Sequence, residues 1–355
     1  MRVNKKMPTS GPQKEKESRQ RRPQYSSVDV ARMAGVSQAA VSRAFTEGAS
    51  ISKKMKEKVM KAAAELGYRP SILPRILATN NSQLVAIVVG GLYNPYYAGI
   101  FELFARKLQD GGYQSLVYFV DHNEYFDEVL PLIMKYRVDG IISALSLLSP
   151  EAAIECARME IPVVTLNGRS QVDAISSVCS DNVNGGRLIS ELFCRRGGKR
   201  FAYVSGNESV ANTERRKGYL EGLKESGVSD VREYCGNFRY AGGCEAARAL
   251  LGNGDGPDAV FCANDLMAIG FLETARGELG LKVPEDIMVA GFDDSMFAAW
   301  PSNSLTTIQP DAEAMVEHSL SFLRRYWAGE DGALGVTEVI PGVLVERKST
   351  VRDDL

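Results

Sequence analysis

Two hydrophobic periods divide this chain. In "SSVDVARMAG", Ser26 is a helix N-cap with Asp29 three residues on, and Val30 and Met33/Ala34 follow at helical spacing before Gly35 ends the run. Ser37 then caps a second helix in which Val41, Ala44 and Phe45 share one face and Gln38, Ala39, Ser42 and Arg43 lie on the other. After Ser52, "KKMKEKVMKAAAELGY" places Met55, Val59, Ala62, Ala63 and Leu66 along one stripe, ended by Gly67. Three brief helices with a tight Gly-containing turn between the first two predict a helix-turn-helix unit. Small side chains on the second helix suit a major groove about 12 Å wide, and so short a helix draws its stability from docking on its neighbours.

From Leu84 onward the period changes. Continuous apolar runs, "LVAIVVG", "QSLVYFV", "DGIISA", "PVVTLNG" and a short "AISSVCSD", alternate with amphipathic helical stretches; "RFAYVSG", "DAVFCAND" and "DIMVAGFDD" follow Arg200. Such alternation predicts parallel sheets covered by helices on both faces. The strands are too many for one compact half, and the break at Gly197-Gly198 predicts two similar lobes. The expected fold is an all-α helix-turn-helix head followed by an α/β body of two doubly wound parallel-sheet lobes. Its expected divisions are a disordered basic tail at 1–24, the head at 25–70, a linker at 71–82 and the body at 83–355. Within the body the lobes are expected at about 83–198 and 199–303, with crossover segments after 304, where Gln309 and Pro310 open a helix ending near Trp327.

Charge sharpens the division. The net charge is −2, yet residues 1–82 hold 17 Lys and Arg against 6 Asp and Glu, a net of +11, leaving −13 on the remainder. A basic head on an acidic body suits a polyanionic partner for the head alone. The tail accounts for +6 of that charge, and Tyr25 to Ser82 still carries +5. No run of about 18 apolar residues is present to span a bilayer. The first 24 residues are polar and charged rather than signal-like, so a cytoplasmic, nucleoid-associated protein with no membrane partner is expected.

Other classes find little material. Two histidines, His122 and His318, are too few for a His-rich metal site, and the six cysteines form no Cys-x-x-Cys pair, so reduced, mostly buried thiols are expected. "VVGGLYNPYY" lacks the Gly-x-Gly-x-x-Gly spacing of a dinucleotide site, and "CRRGGKR" lacks the full phosphate-loop spacing and leads into a strand. Neither an enzyme nor a cofactor is expected. A periplasmic solute receptor shares a two-lobe body, but would need an export signal and no helix-turn-helix head.

In open α/β sheets ligands bind beyond the carboxyl ends of the strands. The polar residues ending the runs are Asn94-Pro95-Tyr96-Tyr97, Asp181-Asn182, the segment leading to Arg215, Asn264-Asp265 and Asp293-Asp294. Carboxylates, amides, one arginine and aromatic rings suit a polyol, whose hydroxyls take planar bidentate partners and whose ring faces stack.

"VDVARMAGVSQAAVSRAF" followed by "SKKMKEKVMKAAAELGYRPS" closely resembles the head of the LacI/GalR family of bacterial transcription regulators, and the resemblance covers about residues 26–350. It implies a homodimeric repressor whose second helix reads a pseudo-palindromic operator. Gln38 and Ala39 would be the principal base-reading positions, with Ser37, Ser42 and Arg43 contacting phosphate or base edges and Ser26 included in the DNA-contacting set. It further implies a hinge helix within "YRPSILPRILATNN" whose Leu77 wedges into the minor groove. Pro74, where alanine is commoner, disfavours helical geometry at Leu73 and starts that hinge one turn late. In the body, similar to periplasmic sugar-binding proteins, the resemblance assigns a small effector to Tyr96, Tyr97, Arg215, Phe238, Asn264 and Asp293, with Asp181 a weaker candidate. A sugar, sugar acid or related polyol is the implied ligand.

Overall fold

The computed structural model describes all residues except 1–24, 47, 71–80, 91, 121–125, 145–148, 170–171, 173–174, 253 and 352–355. The basic tail, His122, and most of the linker with Leu73, Pro74 and Leu77 therefore lie outside the described residues. The chain forms two compact units, residues 1–80 and 81–355.

The first unit contains α1 (Ser27–Ala34), α2 (Gln38–Phe45) and α3 (Lys53–Leu66). Ser26 accepts from the Asp29 N–H while the Asp29 carboxylate accepts from the Ser26 N–H, the reciprocal cap predicted from their spacing. Gly35 and Gly67 end α1 and α3 in the left-handed conformation, which glycine adopts without strain. Val30, Ala31, Val41, Ala44, Val59, Ala62 and Ala63 form the core. Met33 and Met55, assigned to the packed stripes by spacing, are exposed, while Ala34 and Leu66 of the same stripes pack on the core.

The second unit has two six-stranded sheets. The first contains β1 (Leu84–Val89), β2 (Gln114–Phe119), β3 (Gly140–Ser143), β4 (Val163–Leu166), β5 (Ile175–Ser180) and, far along the chain, β11 (Thr337–Ile340), in the order β11-β5-β4-β3-β1-β2. All its pairings are parallel. The period of two explains why β1 reads as a continuous apolar run. Val85, Ile87 and Val89 pack on one face against α4 (Pro95–Asp110) and α11 (Ala312–Trp327), and Ala86 and Val88 pack on the other against α5 (Phe126–Met134) and α6 (Pro150–Arg158).

The second sheet contains β6 (Phe201–Ser205), β7 (Val231–Cys235), β8 (Ala259–Cys262), β9 (Met288–Phe292), β10 (Thr306–Pro310) and β12 (Gly342–Val345), in the order β12-β10-β9-β8-β6-β7. Only the β10–β12 pairing is antiparallel within it. Helices α7 (Asn182–Arg195), α8 (Val210–Glu225), α9 (Tyr240–Leu251) and α10 (Asp265–Gly277) belong to this lobe, with α7 packed along α8 and α9 along α10.

The lobe boundary differs from the one placed at Gly197-Gly198. The chain leaves the first lobe after Ser180, returns after Pro310 and leaves again between Ile340 and Gly342. The two glycines are the C-terminal stop of α7, where their N–H groups bond back to Cys194 and Phe193 carbonyls. "TTIQP" is a strand rather than a helix opening, and Asp311 caps the helix that follows. Edge strand β7 escapes a hydrophobic reading because most of it is exposed.

No helix among the described residues is long and apolar enough to cross a membrane, and no group of three His, Cys, Asp or Glu among them could hold a metal ion. Cys156, Cys179 and Cys262 are buried, Cys194 and Cys244 half-buried, and Cys235 exposed.

Candidate functional site

Two surfaces collect the residues singled out from sequence. On α2, Ala40, Val41 and Ala44 turn into the core while Ser37, Gln38, Ala39, Ser42 and Arg43 are all exposed. The Ser37 hydroxyl accepts from the Ala40 N–H, the Gln38 amide donates to Ser27 Oγ at 3.0 Å, and Arg43 Nε donates to the Ala39 carbonyl at 3.3 Å. Such a face offers an amide, a guanidinium and hydroxyls from one short helix, the groups that read base edges and phosphates. Ser26 is exposed, but its side chain is engaged in capping α1.

The second surface is a cavity of about 140 Å³ between the lobes of the body. Tyr97, Arg215, Phe238, Asn264 and Asp293 line it together, although they come from distant parts of the chain. Tyr93, Asn94, Asn167, Asn207 and Ser209 complete its polar and aromatic lining.

Arg215 is the centre of the site. It projects from α8 and is 3% exposed. Its Nε donates to Asn182 Oδ1 at 2.9 Å, its Nη1 donates to the Ala263 carbonyl at 2.5 Å, and Nη1 stands 3.5 Å from Asp293 Oδ1. The guanidinium also lies 3.6 Å over the Phe292 ring.

Asp293 follows β9 with φ 121° and Asp294 with φ 47°, two successive positive values in residues with side chains. Neighbours hold this strained turn. The Asp293 N–H bonds the Ile308 carbonyl, and Asp265 accepts from the Ser295 N–H and the Thr307 hydroxyl, each at 2.6 Å. The Asp294 carboxylate pairs with Arg347 and Gln309, each at 2.7 Å. The result points the Asp293 carboxylate across the cleft, where Asn94 Nδ2 of the first lobe donates to it at 2.9 Å.

Burial pushes Asp293 up to about 6, offset in part by Arg215 and Asn94. Asp265 is raised well above the carboxylate range by burial and by Asp293 beside it. Burial also raises the Tyr97 hydroxyl, with Asp293 adding to it.

Phe238 sits on a left-handed turn with Asn237 at φ 54° and itself at φ 57°. Its ring presses on Gly206, where a Cβ would come within 2.1 Å. Asn264 caps α10 through the Met267 N–H and donates to the Phe238 carbonyl at 3.3 Å, so it braces the ring as well as lining the cavity.

Two expected residues are placed elsewhere. Tyr96 and Tyr97 are adjacent on α4, so their side chains diverge by the helical step, and Tyr96 turns inward with its hydroxyl on Met315 Sδ at 3.6 Å. Asp181 caps α7 by accepting from the Asn184 N–H at the crossover between lobes and does not line the cavity. Asn167 was findable by the strand-end rule, since it directly follows the β4 run. Asn207 and Ser209 follow β6 in the segment leading to Arg215 and are reached by the same rule, though nothing in the sequence singles them out within it.

Comparison with known proteins places the chain. Residues 28–71 match the model for bacterial regulatory proteins of the lacI family, and residues 191–350 match that for a periplasmic binding protein-like domain. The chain is 30% identical over 329 residues to the HTH-type transcriptional repressor PurR of Pectobacterium atrosepticum, covering 90% of this chain and 95% of that protein. It is 31% identical over 301 residues to the ribose operon repressor of Escherichia coli K12, covering 83% and 91% respectively. Among solved structures, the lac repressor dimer bound to operator and the anti-inducer ONPF superposes with a TM-score of 0.83 at 26% identity, covering 93% of this chain and all of that one. From its capped amino-terminal helices to the crossovers between its lobes, the chain belongs to the lacI family of bacterial regulatory proteins.

Proposed function

We propose that this chain is an operator-binding transcriptional repressor, working as a homodimer on nucleoid DNA in the cytoplasm, whose grip on DNA is set by a small polyol bound in the interlobe cavity. The observation that carries it is the face of α2, with five consecutive-turn polar or small residues exposed on a helix whose other face is core. The repressors to which the chain is similar, and the operator-bound lac repressor dimer, support the same reading. Gln38 is matched to adenine and Arg43 to guanine, each such bidentate pair being worth roughly 1–3 kcal/mol of discrimination, while Ala39 offers a methyl contact. Two-fold protein symmetry calls for half-sites in a pseudo-palindrome. Leu77 would wedge the centre of the site.

The effector set is Tyr97, Arg215, Phe238, Asn264 and Asp293, joined by Asn94 and Asn167. A ligand that favours one lobe arrangement over another shifts operator affinity by the difference, and a coupling of roughly 1–3 kcal/mol gives a 5- to 150-fold change.

Selection from random duplex DNA with the full chain tests the class directly. Enrichment of a two-fold symmetric sequence is expected, and Arg43→Ala is expected to bind about 5- to 100-fold more weakly with relaxed preference at one base per half-site. Enrichment of no symmetric sequence sinks the proposal; an unchanged preference profile in the variant sinks the role of Arg43.

The titration of Asp293 gives a pH dependence with opposite signs for stability and binding. Because its folded-state value near 6 exceeds the ordinary 3.8, its contribution to stability is full below about 3.8 and is lost as pH rises through about 6. Ligand hydroxyls donate to the carboxylate, so effector affinity is expected to be about tenfold weaker at pH 5 than above pH 7. Calorimetric titrations across that range check this, and Asp293→Asn is expected to flatten the profile.

A further inference from the structure

We infer that Arg169 and Glu214 form a clasp that fastens the two lobes of the body to each other, and that Asn182 ties this clasp to the buried Arg215. The inference concerns how the lobes are held together and does not depend on what enters between them.

Each half of the clasp is fixed to its own lobe. Arg169 follows β4 on a short turn in which Asn167 takes φ 53°. That turn is pinned on the neighbouring strand β5. The Asn167 N–H bonds the Val178 carbonyl, Asn167 Oδ1 accepts from the Ser180 N–H at 3.0 Å, and the Gly168 carbonyl accepts from Cys179 Sγ at 3.2 Å. Arg169 therefore moves with the first lobe. Glu214 rides on α8 of the second lobe, beside Arg215. Arg169 Nε donates to Glu214 Oε1 at 2.6 Å, so the pair joins one lobe to the other.

This is not an ordinary surface pair. The Glu214 side chain is 15% exposed, against 43% for Arg169. Its other oxygen, Oε2, accepts from Asn182 Nδ2 at 3.2 Å, and Asn182 Oδ1 accepts from Arg215 Nε at 2.9 Å. Asn182 is the first residue of α7, just past the crossing from β5. A carboxylate shielded from water and held by two donors loses more when one is removed than a freely solvated pair does. The four side chains form one run of hydrogen bonds from the exposed Arg169 to the buried guanidinium. Parting Arg169 from Glu214 thus frees the group that braces the anchor of Arg215. Arg216, the next residue on α8, pairs with Glu233 of β7 inside the second lobe and fastens nothing across to the first.

The test uses the full chain with no ligand added and Ala211→Cys as reporter, since Ala211 lines the cavity on α8 and is buried. Alkylation of the reporter by iodoacetamide, read by peptide mass spectrometry, measures how often the lobes part, and the exposed Cys235 serves as internal standard. Arg169→Ala and Glu214→Gln are each expected to speed alkylation of the reporter about fivefold or more, with the double variant no faster than the faster single one. Cys235 is expected to react at one rate throughout. Arg169→Lys keeps the cation and is expected to restore slow alkylation. Asn182→Asp keeps the acceptor for Arg215, removes the donor to Glu214 and sets a second carboxylate beside it, so faster alkylation is expected there too. Raising NaCl from about 0.05 M to about 0.5 M is expected to speed the reaction in the reporter protein and to leave that of Arg169→Ala unchanged. Thermal melts accompany every variant; Arg169 is the more exposed partner, so its variants keep the fold even if Glu214→Gln does not. A folded Arg169→Ala protein alkylated no faster than the reporter overturns the clasp, and so does a double variant in which the two effects multiply. Slow alkylation of folded Asn182→Asp overturns the tie to Arg215.

Discussion

Arg215→Ala is expected to abolish the effector response and to destabilise the body by roughly 3–5 kcal/mol, the usual cost of removing one partner from a buried pair. Arg215 and Asp293 are 3% and 5% exposed, so the truncation leaves the Asp293 carboxylate buried without its charged partner. Asn182 Oδ1 and the Ala263 carbonyl lose their donors at the same time, and the Phe292 ring loses the cation above it. Arg215→Lys distinguishes charge from geometry. A lysine ammonium preserves the positive charge near Asp293, but it is a point charge without the planar fork that serves Asn182 and Ala263 together. The lysine variant is therefore expected to recover part of the stability and little of the effector binding. Urea unfolding and ligand titration of the three proteins check both statements. An alanine variant within about 1 kcal/mol of the parent that still responds to ligand contradicts the account of the site given above.

Gly218→Ala is the second large effect, and it reaches the same site from behind. Helices α7 and α8 approach through glycines. A Cβ on Gly218 would fall 1.8 Å from the Val183 carbonyl oxygen, and one on Gly186 would fall 2.2 Å from the carbonyl oxygen of Arg215 itself. These are backbone atoms, so no rotamer change relieves the clash; α8 has to move away from α7. That movement opens the packing of Tyr219 and Leu223 in the second lobe's core and draws Arg215 away from Asn182 on the facing helix. Overpacking ordinarily costs roughly 1–3 kcal/mol, and a backbone-to-backbone clash lies at or above the top of that range. A fall in the thermal midpoint together with weakened effector binding is expected. A variant that melts with the parent shows that the helices tolerate separation.

Among the described residues, the helices of the head are almost wholly legible in the sequence. Ser26 with Asp29, Ser37, Gly35 and Gly67 act within four residues of themselves, and the short apolar repeats dictate which face of each helix is buried. In the body the alternation of runs predicted parallel sheets, because a strand covered on both faces, such as β1, has no polar positions to spare. The strand-end rule reached Arg215, Asn264 and Asp293. It could not separate Tyr96 from Tyr97, since both follow the same strand and only the packing of Met315 decides which one turns inward. Gly197-Gly198 reads as a lobe boundary for a similar reason: a helix stop and a domain break carry the same local signature.

What the sequence determined by itself was local: caps, periods, the basic head and acidic body, and the chemistry available at the ends of strands. Tertiary structure alone decided which of those groups meet. Asn94 and Asp293 are 199 residues apart along the chain and share one hydrogen bond, and Asn182, Arg215 and Ala263 are brought together by two helices and a strand end. Pairings of that kind depend on three crossings between lobes and on glycines that allow backbones to touch. Hydrophobic periodicity records how a residue faces its own element; the partner across a cleft is set by how the elements pack, which no window of neighbouring residues contains.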